Sequence, residues 1–244
     1  MSKHHSKSDP RDEIISYNKL RAFIGIIGIA LPVMVVIGCL IKGAGDASFQ
    51  KSISHYYYSK MHIVFTGTLC VLGGFLITYN GKNKWESRLS NFAGVCAFGI
   101  ATCPTTVEDF INSNGGKNLY IELHEPVTKA WGNIHLIFAA LLLASFVIFC
   151  LYFFQRPDDP ADLNTAKFER RKLIYKICGY VIIGSIALIF VFFQWPVSSP
   201  QFLTYSTYIF ETTALWAFGT AWLVKGSKSM EHVPVIKELV KTVR

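Results

Sequence analysis

AFIGIIGIALPVMVVIGCLI, residues 22–41, is a run of 20 residues without a charged side chain. An α-helix rises about 1.5 Å per residue, so about 20 residues cross a bilayer core of about 30 Å. The run therefore predicts a membrane-spanning helix. Gly25 and Gly28 lie three residues apart on one face of that helix, a spacing that lets another helix approach closely.

Five further apolar blocks follow along the chain. The sequence is 51% hydrophobic and only 16% charged, whereas a soluble domain carries about a quarter charged residues. We therefore predict an all-α polytopic membrane bundle with six transmembrane helices. The third block is the shortest, and Pro104 marks its end. The predicted spans are residues 22–41, 61–79, 91–103, 131–154, 174–193 and 202–224.

Basic residues predict how the bundle is oriented. Of the 24 Lys and Arg residues, 19 fall in four segments that six spans place on one side: 1–21, 80–89, 155–176 and 225–244. The positive-inside rule then predicts cytoplasmic termini in a bacterial inner membrane, with residues 1–21 a tail and 22–224 the transmembrane domain. Residues 225–244 form a second tail, in which 230–244 has the pattern of an amphipathic surface helix.

The net charge of +8 is thereby interpreted as a topology signal with some attraction to anionic lipids. A nucleotide or nucleic-acid site in the basic cytoplasmic loop is the less favoured alternative. Its basic residues are Lys167, Arg170, Arg171, Lys172 and Lys176. The sequence shows no P-loop, GxSxG or GxGxxG motif, which disfavours nucleotide hydrolysis and dinucleotide chemistry.

The stretch SISHYYYS, residues 52–59, holds the densest group of polar and aromatic side chains, in the first exoplasmic loop. Glu211 and His135 are ionisable residues within predicted spans, at similar depth on the same side, and such residues usually face a partner or a cavity. We therefore predict a polar exoplasmic pocket or pore. Its predicted lining is His55, Tyr56, Tyr57, His135, Tyr208, Glu211 and Thr212.

Two structural alternatives stay open at this point. Glu211 and His135 are equally consistent with one hydrogen-bonded pair that ties span four to span six. Taken alone, the tyrosines favour an aromatic belt at the membrane surface.

Three functions fit such a pocket. A homo-oligomer with a ring of Glu211 carboxylates would conduct cations, and a module that binds a lipid headgroup, sterol or small ligand would respond to pH through His55 and His135. A zinc-dependent lipid hydrolase would take its ligands from His55, His124 and His135, with Asp109 or Glu211. We favour a non-enzymatic channel-like or ligand-sensing homo-oligomer in contact with membrane lipids. The exoplasmic zinc-dependent hydrolase, with His55, His135 and Glu211 as metal ligands, is the alternative.

Several short motifs carry a family resemblance: KLR at 19–21, GIALP at 28–32, SISHYYY at 52–58, CPT at 103–105, His135 and Glu211. With them the chain resembles an uncharacterised family of bacterial six-span membrane proteins. Its plan is also similar to the DRAM-like six-span group, which has a serine-isoleucine-serine stretch in the same loop. The resemblance implies the six-span topology and no activity. Similarity to the ceramidase-like zinc hydrolases is weaker, because those have seven spans and paired histidines on the last span.

Overall fold

The computed structural model describes residues 10–42, 49–106, 129–158, 160–163, 165–193 and 205–227. Within these residues the protein is all-helical, as the sequence predicts, and contains no strand. The connections contain two short 3-10 helices, Ile53–Tyr58 and Pro160–Asp162. A π-helical turn, Phe149–Phe153, follows the fourth α-helix. The α-helices within the described residues are α1 (Pro10–Ile41), α2 (His62–Thr78), α3 (Lys84–Thr102), α4 (Lys129–Ile148), α5 (Ala166–Phe193) and α6 (Ser206–Gly226).

The third helix is longer than the apolar block that predicts it. The block begins at Asn91, but α3 begins at Lys84 because Asn83 caps it. The Asn83 side chain accepts a 2.9 Å hydrogen bond from the Glu86 amide, a common helix-start contact. The Glu86 carboxylate in turn accepts from the Lys82 amide at 2.9 Å. The polar first turns of α3 therefore belong to the helix although they are not apolar.

Sequence-adjacent helices pack side by side, and α6 packs against α1, which closes the bundle into a ring. The start of α1 and the end of α6 meet where Gly226 lies against the backbone of Asn18 and Ala22. The turn between α2 and α3 lies at the same end, since the Tyr17 hydroxyl of α1 donates to the Asn80 carbonyl in that turn. We call this the terminal end of the bundle, and the opposite end, which contains residues 52–59, the plug end. Successive helices thus alternate in direction.

Glycine residues set the distance between α1 and α6. A Cβ atom built on Gly25 would lie 2.6 Å from the Gly219 carbonyl oxygen, and one built on Gly219 would lie 2.6 Å from that of Gly25. The prediction that the glycine face of α1 receives another helix is confirmed, and the partner is α6. Residues without side chains are needed here because the two backbones are in contact.

Among the described residues, three helical segments are long and apolar enough to cross a membrane: Tyr17–Ile41, Lys129–Phe153 and Ala166–Phe192. The helix His62–Thr78 is apolar but shorter. Spans through α2, α3 and α6, and the orientation of the termini, stay predictions. The charged first turns of α3 and the hydroxyl groups of α6 lower the hydropathy of these two helices.

The outer surface of the bundle is apolar. Large hydrophobic side chains are exposed on every helix, with Ile63 81% and Phe190 68% exposed. Water would make so much exposed apolar surface unfavourable, whereas lipid does not. This surface supports the conclusion that the chain is a membrane protein. Further examples are Ile37, Val95, Ile137 and Trp216.

Aromatic side chains fill the interior of the ring near the terminal end. The fully buried Trp222 has the rings of Tyr79, Phe149 and Phe154 at centroid distances of 4.9, 5.3 and 5.3 Å. Farther along, Phe146 of α4 stacks on Phe218 of α6 at 3.5 Å. The helices therefore enclose a packed core at these levels.

We expect Gly219→Ala to lower the free energy of unfolding by about 2 kcal/mol, because the added Cβ overpacks the contact with α1. Gly67→Ala is the control, since a Cβ there would meet nothing within 4 Å and should raise stability by up to about 1 kcal/mol. Denaturant unfolding in detergent micelles measures both. Equal stability of the two variants would contradict the tight α1–α6 contact.

Candidate functional site

Residues 52–59 fold into the plug end of the bundle, and we call them the plug segment. Ser52 caps the 3-10 helix Ile53–Tyr58, and its hydroxyl oxygen accepts from the Ser54 amide at 3.1 Å. Tyr56 and Tyr58 are completely buried. A tyrosine belt at the membrane surface would leave these rings accessible, so burial gives these two a different role. The plug segment occupies the region in which the sequence predicts a pocket.

Glu211, in the second turn of α6, binds the start of the plug segment. Its carboxylate oxygens each lie 2.9 Å from the Ser52 hydroxyl, and one accepts from the Ile53 amide at 2.6 Å. A second contact comes from the same helix, where the Tyr208 amide donates to the Lys51 carbonyl at 2.9 Å. A carboxylate away from water needs such donors, and backbone amides are among the strongest. Glu211 thereby determines how the plug segment enters the bundle.

His135, near the start of α4, binds the same segment from another side. Its Nδ1 lies 2.6 Å from the Cys103 carbonyl oxygen and its Nε2 lies 2.8 Å from the Ser54 hydroxyl. A carbonyl only accepts hydrogen bonds, so Nδ1 carries the proton. In the neutral ring Nε2 then accepts from Ser54. His135 is buried, with 1% of its surface exposed, and is held in one orientation.

Glu211 and His135 each bind the plug segment instead of each other. The predicted direct pair between the fourth and sixth helices is therefore replaced by a connection through Ser52 and Ser54. The predicted lining does not include these two serines, although they are the direct partners of Glu211 and His135. The only sequence signal that points to them is the Ser-x-Ser pattern, in which the two serines flank Ile53.

The tyrosines of the plug segment make further contacts with the bundle. The Tyr58 hydroxyl donates to the Thr105 carbonyl beyond α3, and the half-buried Tyr57 ring lies against His62 of α2 at 4.5 Å. Burial raises the pKa values of the Tyr56, Tyr57 and Tyr58 phenols above their usual range. These phenols therefore stay neutral at physiological pH.

The other predicted lining residues lie close to these contacts. The Tyr208 hydroxyl donates to the Pro32 carbonyl of α1 at 2.8 Å, and its ring lies 6.2 Å from that of Tyr56. Thr212 follows Glu211 in α6, one turn after Tyr208. His55 is buried within the plug segment. The structure thus brings all seven predicted residues to one end of the bundle.

The predicted zinc ligands are less well arranged. Both nitrogens of His135 and both oxygens of Glu211 already have hydrogen-bond partners in the chain. In the described parts of the chain, no three His, Cys, Asp or Glu side chains form a group that could hold a metal ion. His124 and Asp109 lie outside the described residues. A zinc site with His55 stays a prediction.

No protein-family model matches this sequence, and no curated protein or solved structure is significantly similar to it. The resemblance to bacterial six-span proteins and to the DRAM-like group therefore stays a prediction. The function has to be argued from the contacts of the chain itself.

We expect Glu211→Ala to lower the free energy of unfolding by about 2 kcal/mol, because the buried Ile53 amide loses its acceptor. Glu211→Gln keeps one acceptor oxygen and should lose about 1 kcal/mol. The control is Glu169→Ala, which removes an exposed carboxylate and should change stability by less than about 0.5 kcal/mol. Denaturant titration in detergent would contradict the assignment if Glu211→Ala unfolded at the wild-type concentration.

Proposed function

We propose that this chain is an integral membrane protein that senses a ligand or protons at its exoplasmic end, with the plug segment as the responsive element. The observation that carries the proposal is the double attachment of that segment, to Glu211 of α6 and to His135 of α4. Two ionisable side chains from separate helices thereby control one short segment. A change at either one alters how the segment is held.

The direction of the pH response follows from the hydrogen bonds. Glu211 accepts from both Ser52 and Ile53 as a carboxylate, and protonation turns one of its oxygens into a donor. His135 accepts from Ser54 when neutral, and a protonated Nε2 would instead donate to the Ser54 hydroxyl, which can also accept. Protonation of Glu211 removes the charge that strengthens its bonds with Ser52 and Ile53. Acidification should therefore weaken the attachment at Glu211.

The other titratable groups at this end respond differently. The three tyrosines of the plug segment have raised pKa values and keep their protons. The His62 Nδ1 lies 2.6 Å from the Tyr57 carbonyl, so it donates in both the neutral and the charged ring. Lys42 and Lys60 bind each other's backbone carbonyls at 3.1 and 2.9 Å. Further titratable or charged groups among the described residues at this end include His55, Lys51, Lys129, Cys39, Cys103, Tyr205 and Tyr208.

The same contacts indicate what kind of ligand would act. Glu211 holds the segment through O–H and N–H donors, so a ligand that offers a cationic or N–H group competes with Ser52 and Ile53 for the carboxylate. Amine-bearing small molecules and lipid headgroups have this chemistry. Movement of Ser52 would also disturb Ser54, because the Ser54 amide donates to the Ser52 hydroxyl oxygen at 3.1 Å.

The packing of one chain supports sensing over conduction. The stacked Phe146 and Phe218 rings and the buried Trp222 occupy the interior of the ring. A path for ions would therefore run between chains of a homo-oligomer, and Glu211 would first have to leave the plug segment. We place channel-like conduction second to sensing within this proposal.

Hydrogen–deuterium exchange of full-length protein in lipid nanodiscs tests the proposal, with protons as the probe. Lowering the pH from about 7.5 to about 5.5 should speed exchange in residues 52–59 by about tenfold beyond the intrinsic rate, as expected for one lost hydrogen bond. Glu211→Gln should exchange fast at both pH values. Glu169→Gln, the same change at the terminal end, should behave as wild type. Exchange that is independent of pH in the wild type would overturn the proposal.

A lipid hydrolase remains the second candidate, and one contact favours it. The Ser54 hydroxyl lies 2.8 Å from His135 Nε2, whose opposite nitrogen is oriented by the Cys103 carbonyl. This is the arrangement of a serine nucleophile and its base, and it needs no zinc. We place it second because the Ser54 amide already donates to Ser52, so it is not free to stabilise an oxyanion.

A fluorophosphonate probe distinguishes this candidate. Attack by Ser54 would form an oxygen–phosphorus bond and expel fluoride, while the hydroxyl proton passes to His135 Nε2. For a hydrolase, mass spectrometry should find the adduct on Ser54, lost in His135→Asn but kept in Ser59→Ala. An unlabelled Ser54 in the wild type would rule the hydrolase out.

A further inference from the structure

The terminal end of the bundle contains a cluster of cations around one carboxylate. Asp158, between α4 and α5, lies 2.9 Å from Arg21, 3.4 Å from Lys82 and 3.1 Å from Lys225. These cations come from α1, from the α2–α3 turn and from α6. Three separate parts of the fold thus converge on one negative group. We call Arg21, Lys82 and Lys225 the cationic cluster.

The cluster is mostly buried but open on one side. The side chains of Arg21 and Lys225 are 2% and 5% exposed, whereas those of Asp158 and Lys82 are 24% and 37% exposed. Arg21 lies one turn into the apolar segment that begins at Tyr17. The cluster therefore lies near the level at which this helix would enter a membrane, with Lys82 at its accessible edge.

Positive charge exceeds negative charge in this region. The second nearby carboxylate, Glu86, accepts from the Tyr79 hydroxyl at 2.7 Å and from the Lys82 amide at 2.9 Å. Among the described side chains, the three cations of the cluster exceed the two carboxylates by one positive charge. The Arg21 Nε atom is buried and has no hydrogen-bond partner among the described residues. Buried cations with unused donors favour a further anionic partner.

Asp158 itself is ionised at physiological pH. Burial alone would raise its pKa, but the neighbouring charges of Arg21 and Lys225 outweigh burial and lower the pKa to about 2. The carboxylate is therefore a permanent anion at the centre of the cluster. It lies in a connecting segment and not within a helix, so it can be displaced without unwinding one.

We propose that the cationic cluster is a binding site for a phosphate group, and that the Asp158 carboxylate occupies it in the unliganded protein. A phosphate carries up to two negative charges and at least three acceptor oxygens, one for each of the three cations. It would replace the single charge of Asp158 and match the excess of positive charge. The Arg21 guanidinium has the planar donor geometry that suits phosphate.

A phospholipid headgroup and free inorganic phosphate share this chemistry. The cluster lies at the end of the bundle where the Lys-rich and Arg-rich segments predict the cytoplasmic side. Basic pockets between helices on that side bind the headgroups of anionic lipids. The experiment therefore has one arm for each source.

The test uses the full-length protein and two probes. Inorganic phosphate is titrated in detergent at constant ionic strength while the unfolding temperature is followed, and phosphatidic acid is counted by native mass spectrometry from nanodiscs. We expect Lys82→Gln to weaken binding by about tenfold, the effect of one charge-assisted hydrogen bond. Lys84→Gln is the matched control, because it removes an exposed lysine two residues away that has no ion pair with Asp158. Asp158→Asn should bind about tenfold more tightly, since the competing charge is gone.

Each outcome decides the proposal. If Lys82→Gln loses binding of inorganic phosphate but not of phosphatidic acid, the cluster is a free-anion site. If it loses binding of phosphatidic acid but not of inorganic phosphate, the cluster is a headgroup site. Equal behaviour of Lys82→Gln and Lys84→Gln with both probes would overturn the proposal. So would a folded Asp158→Asn that binds neither probe more tightly than wild type. If Asp158→Asn does not fold, the comparison of the two lysine variants decides alone.

Discussion

A carboxylate enclosed by apolar helices has to be hydrogen-bonded, and the plug end of this protein is built around that constraint. Glu211 meets it with the Ser52 hydroxyl and the Ile53 amide, which draws residues 52–59 into the bundle. Once inside, the segment places Ser54 against His135 and buries Tyr56 and Tyr58. One acceptor on α6 thus organises contacts that reach α3 and α4.

Buried ionisable side chains are bound by different interactions at the two ends of the ring. At the plug end, Glu211 and His135 hold residues 52–59 through hydrogen bonds with Ser52, Ile53 and Ser54. At the terminal end, ion pairs between Asp158 and its cations persist to low pH, because the carboxylate has its pKa near 2. Between the ends, glycine contacts and stacked aromatic rings hold the helices together. A packed middle with a hydrogen-bonded segment at one end fits the sensing function that we propose.

Much of the fold follows from local patterns in the chain. Apolar runs locate the helices, and the glycine spacing on α1 predicts a close helix partner. The start of α3 is missed because Asn83 and Glu86 extend the helix through polar turns, which hydropathy does not register. Glu211 and His135 are found because ionisable residues in apolar runs are rare. Ser52 and Ser54 are not recognised as their partners, since serine is common and carries no charge.

The sequence by itself determined that the described residues are helical with membrane-length apolar segments, and it identified Glu211 and His135 as ionisable residues within apolar stretches, because helical length and hydropathy are local properties. Only the tertiary structure decided what those residues bind. Glu211 and Ser52 are 159 positions apart, and Arg21 and Asp158 are 137 apart. Contacts over such separations depend on how six helices close into a ring, and that closure comes from packing between α1 and α6, which no single segment specifies.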